Sequence, residues 1–577
     1  MKKKLLPALI VTGLIILVVI IMGITALINK YTPTKKTEDL KEYFNISSDD
    51  EVALIVNNEL SDYKAKIIDK KIYVDYKFVH DSLNSRFYWD ANENVLLYTT
   101  ASDIISAAAD SNSYSVTKQT NDFGYPIVKA TSDSALIALD YVKQYSNITF
   151  KSYDNPARIV ITSKWDEIDS ATVSKSTQIR VKGGIKSPIL KEVKKDDKIT
   201  ILDSGDKWDK VATEDGVIGY IKRKALSESK KTKLTNPDYE EETFTHIKKD
   251  KDICLAWNQV TSQSANSKVP QVISSTKGIN VMSPTWFYLN DNNGNLADIA
   301  SKDYVSYCHS QGIEVWGLFS NFENTDVDAA YVLTHTSTRT TLINQIMSAA
   351  FNYELDGVNI DFENITEAAY GDSYIEFIRE LAIKCHNNGI SLSVDVTVPA
   401  SFNKFFNRSD MANFADYIVI MGYDEHYKGS DAGSVSSIPW VTEGVESTLK
   451  EVPADQIILG MPFYTRIWEL TPKEDDDAVT DTEDQSKYTV ASQVYSMDAA
   501  AAQLATNNAT AALDEESGQN YAEWSVSNKL YKVWLEDTTS LEKRLKLVDD
   551  NKLAGAAFWK LGFENSSVWD TVIKYLN

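Results

Sequence analysis

Residues 356–363 read Asp-Gly-Val-Asn-Ile-Asp-Phe-Glu, a stretch in which apolar and polar side chains alternate. An extended strand repeats every two residues, so Asn359, Asp361 and Glu363 share one face while Val358, Ile360 and Phe362 share the other. Three polar groups in a row are costly to bury idle, because an unpaired carboxylate inside a protein shifts its pKa or finds a partner. The economical reading is a catalytic row that climbs to a strand end and finishes at Glu363. Asp356 has the opposite parity and is expected to anchor the strand.

Such a strand needs cover on both sides. From about residue 250 onward, strand and helix signals alternate, and eight apolar runs stand out: ICLAW, INVMSP, EVWGLF, LDGVNIDFE, LSVDVTV, YIVIMGY, IILGMPF and AGAAFW. Continuous apolar strands imply a parallel sheet covered by helices. The clearest helical stretch runs from Tyr374 to Cys385, where Tyr374, Phe377, Ile378, Leu381, Ala382 and Cys385 recur at helical spacing. Eight such units closing on themselves form a (β/α)8 barrel, with its chemistry at the C-terminal ends of the strands. The expected fold class is therefore α/β, with a barrel over residues 245–577. An insertion at about 469–553 is expected to wall the cleft, and its acidic run PKEDDDAVTDTEDQ reads as a solvated loop rather than a metal site.

The remainder of the chain places the barrel. Lys2, Lys3 and Lys4 precede an uncharged run from Leu5 to Ile28, long enough to span about 36 Å as a helix. No small-x-small cleavage site or lipobox cysteine follows it, so residues 1–29 are expected to be a transmembrane anchor, with a cleaved export signal as the alternative. The N-terminus is expected inside the cell and the large remainder outside. Residues 30–50 are polar, broken by Pro33, and read as a stalk. Residues 51–168 mix β-rich runs with short helical stretches, as in a small α+β domain. Residues 170–228 carry short strands between turns such as Gly183-Gly184, Asp203-Ser204-Gly205 and Glu214-Asp215-Gly216, the pattern of a small all-β barrel.

Composition removes several classes. A formal charge of −23 argues against nucleic acid as a partner, since phosphate binding needs a basic surface. Cys254, Cys308 and Cys385 are odd in number and widely spaced, so they are expected to be buried free thiols. His426 has no second histidine at ligand spacing, and no phosphate loop or zinc spacing appears; no metal and no cofactor are expected. The 12 Trp and 30 Tyr suit carbohydrate stacking or dense β-structure equally.

The segment DGVNIDFE resembles the DGxDxDxE signature of glycoside hydrolase family 18, with Asn359 in place of the middle Asp. Met421-Gly422-Tyr423-Asp424 resembles the family's Met-x-Tyr-Asp/Asn segment and Trp559 its floor tryptophan, while Tyr464 and Arg466 stand at the end of the seventh strand. SPTWF, NIDFE, GMPFY, KVWLED and FWKLGFE resemble the subgroup of bacterial spore-cortex and peptidoglycan N-acetylglucosaminidases. Upstream, DSGDKWDKVATEDGVIGYIK resembles a bacterial SH3-like domain, with a ligand-free spacer as the alternative. KKIYVDYKFVHDSLNSRFYWDANENVLLYTT resembles the N-terminal domain of copper amine oxidases.

The family resemblance implies substrate-assisted, retaining hydrolysis of an N-acetylated glycan polymer. It implies Glu363 as acid and base, Asp361 as the group that orients the acetamido N–H, and Tyr423 as a donor to the acetamido oxygen. Asn359, Asp424, Tyr464 and Arg466 are expected to bind substrate, with Trp559 as the sugar floor and Trp286 and Phe287 as further platforms. An amide at position 359 cannot share a proton with Asp361, so Asp361 is expected to stay ionised over a wide pH range, held by Asn359. Peptidoglycan is the first expected substrate; chitin or N-glycans, and a catalytically silent glycan-binding protein, are the alternatives.

Overall fold

The computed structural model describes residues 2–48, 50–365, 368–473 and 484–576, so most of the acidic run expected to be a solvated loop lies outside the described residues. The chain divides into two compact units, one of residues 1–89, 107–114 and 121–241, the other of residues 90–106, 115–120 and 242–577.

The first unit opens with the helix Lys2–Tyr31, within which Pro7–Tyr31 is long and apolar enough to cross a membrane. Two seven-stranded sheets follow. In the first, Glu51–Val56 runs parallel to Arg158–Thr162 and antiparallel to Glu59–Ile68. In the second, Trp208–Thr213 and Ile218–Lys222 form a hairpin whose turn uses Gly216 at φ +83°, a backbone setting that glycine adopts without strain.

The second unit is built on a closed parallel barrel. Its strands are β1 Ile253–Asn258, β2 Val281–Leu289, β3 Glu314–Ser320, β4 Gly357–Asp361, β5 Ser391–Thr397, β6 Tyr417–Met421, β7 Ile457–Pro462 and β8 Gly555–Trp559. Each pairs in parallel with its neighbour, and β1 joins both β2 and β8, which closes the ring. Each of the eight apolar runs legible in the sequence overlaps one strand.

Alternation sorts the side chains into two cores. Leu255, Trp257, Trp316, Leu318, Tyr417, Val419 and Ile458 fill the barrel interior. Val358, Ile360, Phe362, Phe377, Ile378, Leu381 and Cys385 belong to the outer core between sheet and helices. The stripe read from Tyr374 to Cys385 lies on the helix Ala368–His386 and is buried along its length. Cys254, Cys308 and Cys385 are buried and free. Asp356 anchors the start of β4, its Oδ2 accepting from the Val315 N–H at 2.8 Å and lying 2.8 Å from His309 Nε2.

Two boundaries differ from those expected. The excursion after β7 runs from 464 to 535 and forms a five-stranded sheet with the helix Met497–Thr506. The helix Thr538–Asn551, placed inside the insertion on sequence, instead buries Leu541, Leu545 and Val548 in the barrel's outer core and leads into β8. The second difference concerns residues 90–106 and 115–120, which group with the barrel although 51–168 was expected as one domain. Polar contacts account for it: Asp90 accepts from the Thr336 N–H at 2.7 Å, and Thr99 Oγ1 donates to Glu376 at 2.8 Å.

Gly357 begins β4 directly against Trp316, and a Cβ there would lie 2.5 Å from Trp316 Cδ1. Because Trp316 is fully buried and cannot swing away, Gly357→Ala is expected to destabilise the protein by about 1–3 kcal/mol. Urea unfolding of the two forms, compared at constant m-value, measures it.

Candidate active site

The inward row rests on β4. Its register places Asn359 beside Leu318 and Asp361 beside Ser320, so both point to the barrel axis. Asn359 is completely buried and bonded at both ends of its amide. Its Oδ1 accepts from Trp257 Nε1–H and from Ser283 Oγ–H, each at 2.9 Å, while its Nδ2 donates to Asp395 Oδ1 at 2.7 Å. Two donors converging on Oδ1 leave only the nitrogen end for Asp395, so the network itself orients the amide.

Asp361 stands one alternation nearer the mouth. It is 7% exposed, and its Oδ1 has no hydrogen-bond partner in the protein. Burial pushes its pKa well above the usual carboxylate range, and the negative charges of Asp395, Glu363 and Glu323 push it further. Asp395 is raised by burial too, although its hydrogen bond from Asn359 pulls the other way.

Glu363 lies two residues beyond the end of β4 and is half-buried. Asn321, just past β3, clamps its backbone from both sides. Asn321 Oδ1 accepts from the Glu363 N–H at 2.9 Å, and Asn321 Nδ2 donates to the Glu363 carbonyl at 3.1 Å. Burial raises the Glu363 pKa, followed by Asp424 and Glu323. Ser320 Oγ holds Glu323 in turn, at 2.6 Å. A carboxyl raised in this way keeps its proton to higher pH and can donate it.

Aromatic rings surround the row. Tyr423 meets Trp257 edge-on at 6.4 Å and Tyr464 at 6.2 Å between centroids. Burial, then Asp361 and Asp395, hold the Tyr423 hydroxyl protonated, so it remains a donor. Trp559 ends β8, half-buried, with its ring 5.9 Å from Trp257. On the wall formed by the excursion, Tyr464 Oη donates to Asp424 Oδ1 at 2.5 Å, and Arg466 Nη2 lies 3.8 Å from the same oxygen. Arg466 Nε is buried without a partner.

Asn359, Asp361, Glu363, Tyr423, Asp424, Tyr464, Arg466 and Trp559 thus occupy one region at the C-terminal mouth of the barrel. Trp286 and Phe287 do not, and their expected role as sugar platforms is withdrawn. Trp286 is fully buried on the helix side, with its Nε1–H on Asn266 Oδ1 at 2.8 Å and its ring 4.9 Å from Tyr304. The register of β2 shifts between Thr285 and Phe287, which leaves Phe287 outside as well, stacked 4.5 Å from Phe319. The expectation that Asn359 holds Asp361 ionised is also corrected. The amide bonds Asp395 instead, and burial among acidic neighbours favours protonated Asp361.

Trp257, Ser283, Asn321, Glu323 and Asp395 were not singled out from sequence. A signal existed for Asp395: LSVDVTV places Ser393, Asp395 and Thr397 on one face, the same alternation that marked β4. His426, a loop residue, pairs through Nδ1 with the Ser434 carbonyl at 2.9 Å. Among the described residues, no group of three or more His, Cys, Asp or Glu side chains could hold a metal ion.

A barrel whose mouth carries a raised acid among aromatic rings has the layout of an enzyme, and comparison with known proteins supplies the class: the protein is a glycosidase. Its residues 324–564 match the model for glycosyl hydrolases family 18. Among curated relatives, the uncharacterized glycosylase YvbX of Bacillus subtilis is 24% identical over 302 residues, 49% of this chain and 81% of that protein. A cortical fragment-lytic enzyme of the same organism is 24% identical over 287 residues, 48% of this chain and 63% of that protein. Among solved structures, the spore cortex-lytic enzyme SleL of Bacillus megaterium aligns with a TM-score of 0.49 at 20% identity, over 56% of this chain and 74% of that one.

The site's electrostatics have a measurable cost. A carboxyl whose folded pKa is raised above its unfolded value, about 3.9 for Asp, contributes stability below that value and loses it as pH rises toward the folded pKa. Asp361→Asn removes that loss. Its melting temperature is expected to exceed wild type by at least ~2 °C at pH 7, with a smaller difference or none at pH 4. Calorimetry at the two pH values measures the difference, and an equal shift at both would contradict the buried-acid account.

Proposed function

We propose that the protein is a membrane-anchored, extracytoplasmic N-acetylglucosaminidase that cleaves β-1,4 bonds next to N-acetylglucosamine in peptidoglycan. The observation that carries this reading is the buried, partnerless Oδ1 of Asp361, one alternation below the raised acid Glu363. An orphan acceptor in a closed interior calls for a ligand N–H, and a 2-acetamido group offers one beside the anomeric carbon.

The proposed mechanism follows from that placement. Glu363 gives its proton to the glycosidic oxygen, and the C1–O bond breaks as the acetamido carbonyl oxygen attacks C1. Asp361 accepts the acetamido N–H at its free oxygen, and Tyr423 donates its hydroxyl to the acetamido oxygen. The buried acidic surroundings offset the positive charge of the oxazolinium. Glu363, now a carboxylate, removes a proton from water, which adds to C1 and reopens the ring with the configuration retained.

Trp559 supplies the apolar floor for the sugar, with Tyr464, Asp424 and Arg466 as its polar wall and Asn359 shaping the site from below. Two of the curated relatives act, by name, on cortical fragments or as a glycosylase, which supports a wall glycan as substrate. The apolar stretch Pro7–Tyr31 supports an anchor that holds the catalytic unit near the wall, with the N-terminus inside and residues 170–228 as an SH3-like module.

Glu363→Gln is expected to lower kcat on purified peptidoglycan by about 10²–10⁴-fold with little change in KM. Release of reducing ends, with mass analysis of the fragments and chitin oligomers in parallel, measures both rate and bond. Full activity in Glu363→Gln would remove the assignment of the acid; cleavage of chitin alone would move the substrate.

A further inference from the structure

Asp395 has no role in the mechanism above, yet it is the residue that Asn359 holds. It is 2% exposed on β5, and the Asn359 Nδ2–H reaches its Oδ1 at 2.7 Å. We propose that Asp395 is a positioning residue of the reaction: it carries, on β5, the buried negative charge beside which Asp361 is held, with Asn359 as the tether between the strands. This inference rests on the glycosidase mechanism proposed above and extends it to a residue that need not touch the sugar.

Three observations support it. The first is the direction of the amide. Trp257 and Ser283 both donate to Asn359 Oδ1, so the end facing Asp395 is a donor, and a donor at that distance stabilises the ionised carboxylate. The second is the contrast with Asp361, whose Oδ1 receives nothing from the protein. Of the two acids, only Asp395 has its charge stabilised by a hydrogen bond from a buried amide.

The third is the company both acids keep. Glu363 beyond β4 raises both acids and Glu323 beyond β3 raises Asp361, and the two acids in turn raise Tyr374 on the helix Ala368–His386 and Tyr423 beyond β6. All are acids or phenols, and no Lys, Arg or His is among them. Several carboxyls gathered without a cation cannot all ionise, so protons are shared out among them. Burial raises both acids, and the hydrogen bond from Asn359, which lowers Asp395 alone, assigns the charge to Asp395 and the proton to Asp361. A neutral Asp361 can still accept the acetamido N–H at its free oxygen, while the fixed charge on Asp395 faces the positive charge that develops on the sugar.

The hydrogen-bond geometry supplies a sharp test. Both hydrogen-bond partners of the Asn359 side chain other than Asp395 are donors, so an acid at 359 facing an amide at 395 would keep all three hydrogen bonds. Asp395→Asn alone is expected to lower kcat about a hundredfold with KM little changed. It should also move the limb of the pH–rate profile that reports Asp361 down by at least ~1 pH unit. The double variant Asn359→Asp/Asp395→Asn, which returns a carboxylate to the same hydrogen bond, is expected to recover most of the lost kcat and to restore the limb.

A purely structural Asp395 would leave the limb in place. An unmoved limb, or a double variant no better than the single one, overturns the proposal, while activity lost in Glu363→Gln sustains the broader mechanism independently. Thermal stability tests the coupling without turnover: at pH 7, Asp361→Asn and Asp395→Asn together should shift the melting temperature by less than the sum of their separate shifts, because each relieves the same repulsion. Additive shifts overturn it.

Discussion

The amide of Asn359 is the point at which the interior of this barrel is organised. Its oxygen collects the indole N–H of Trp257 from β1 and the hydroxyl of Ser283 from β2, and its nitrogen reaches across to Asp395 on β5. One side chain therefore ties four strands together in a region that water does not reach. Such a network specifies a structure because each member left unpaired would carry the desolvation cost of a buried polar atom. The Trp257 ring that this bond holds is also the surface against which Tyr423 and Trp559 are set.

Above that layer the protein accumulates acid without cation. Asp395, Glu363 and Glu323 raise the pKa of Asp361, Asp424 and Glu323 raise that of Glu363, and Glu363 raises that of Asp395. This arrangement works against stability, since like charges in a low-dielectric interior repel and ionisation is penalised by burial. It is the kind of local conflict expected where the fold has been shaped for chemistry. The backbone around it is correspondingly well held, most clearly by the two-point clamp of Asn321 on Glu363.

The excursion at 464–535 contributes in a different way. Tyr464 and Arg466 sit on its first strand, and both reach Asp424 on the loop after β6. A wall built on a sheet holds its side chains more precisely than a free loop would. The Arg466 Nε is buried without a hydrogen-bond partner in the protein.

The eight strands, the helical stripe from Tyr374 to Cys385, the three buried thiols and the row ending in Glu363 were legible in the sequence. These depend on the local repeat of the backbone, two residues for a strand and 3.6 for a helix, which any single chain displays. What a neighbouring strand presents does not depend on that repeat. The partner of Asn359, the place of Asp395, the clamp by Asn321 and the outward turn of Trp286 and Phe287 are set by register, closure and an irregularity in β2. The protonation preference of Asp361 belongs to the same group, because burial and the proximity of acids distant in sequence decide it. Periodicity along one chain gives the face on which a residue lies; only the closed sheet decides what that face meets.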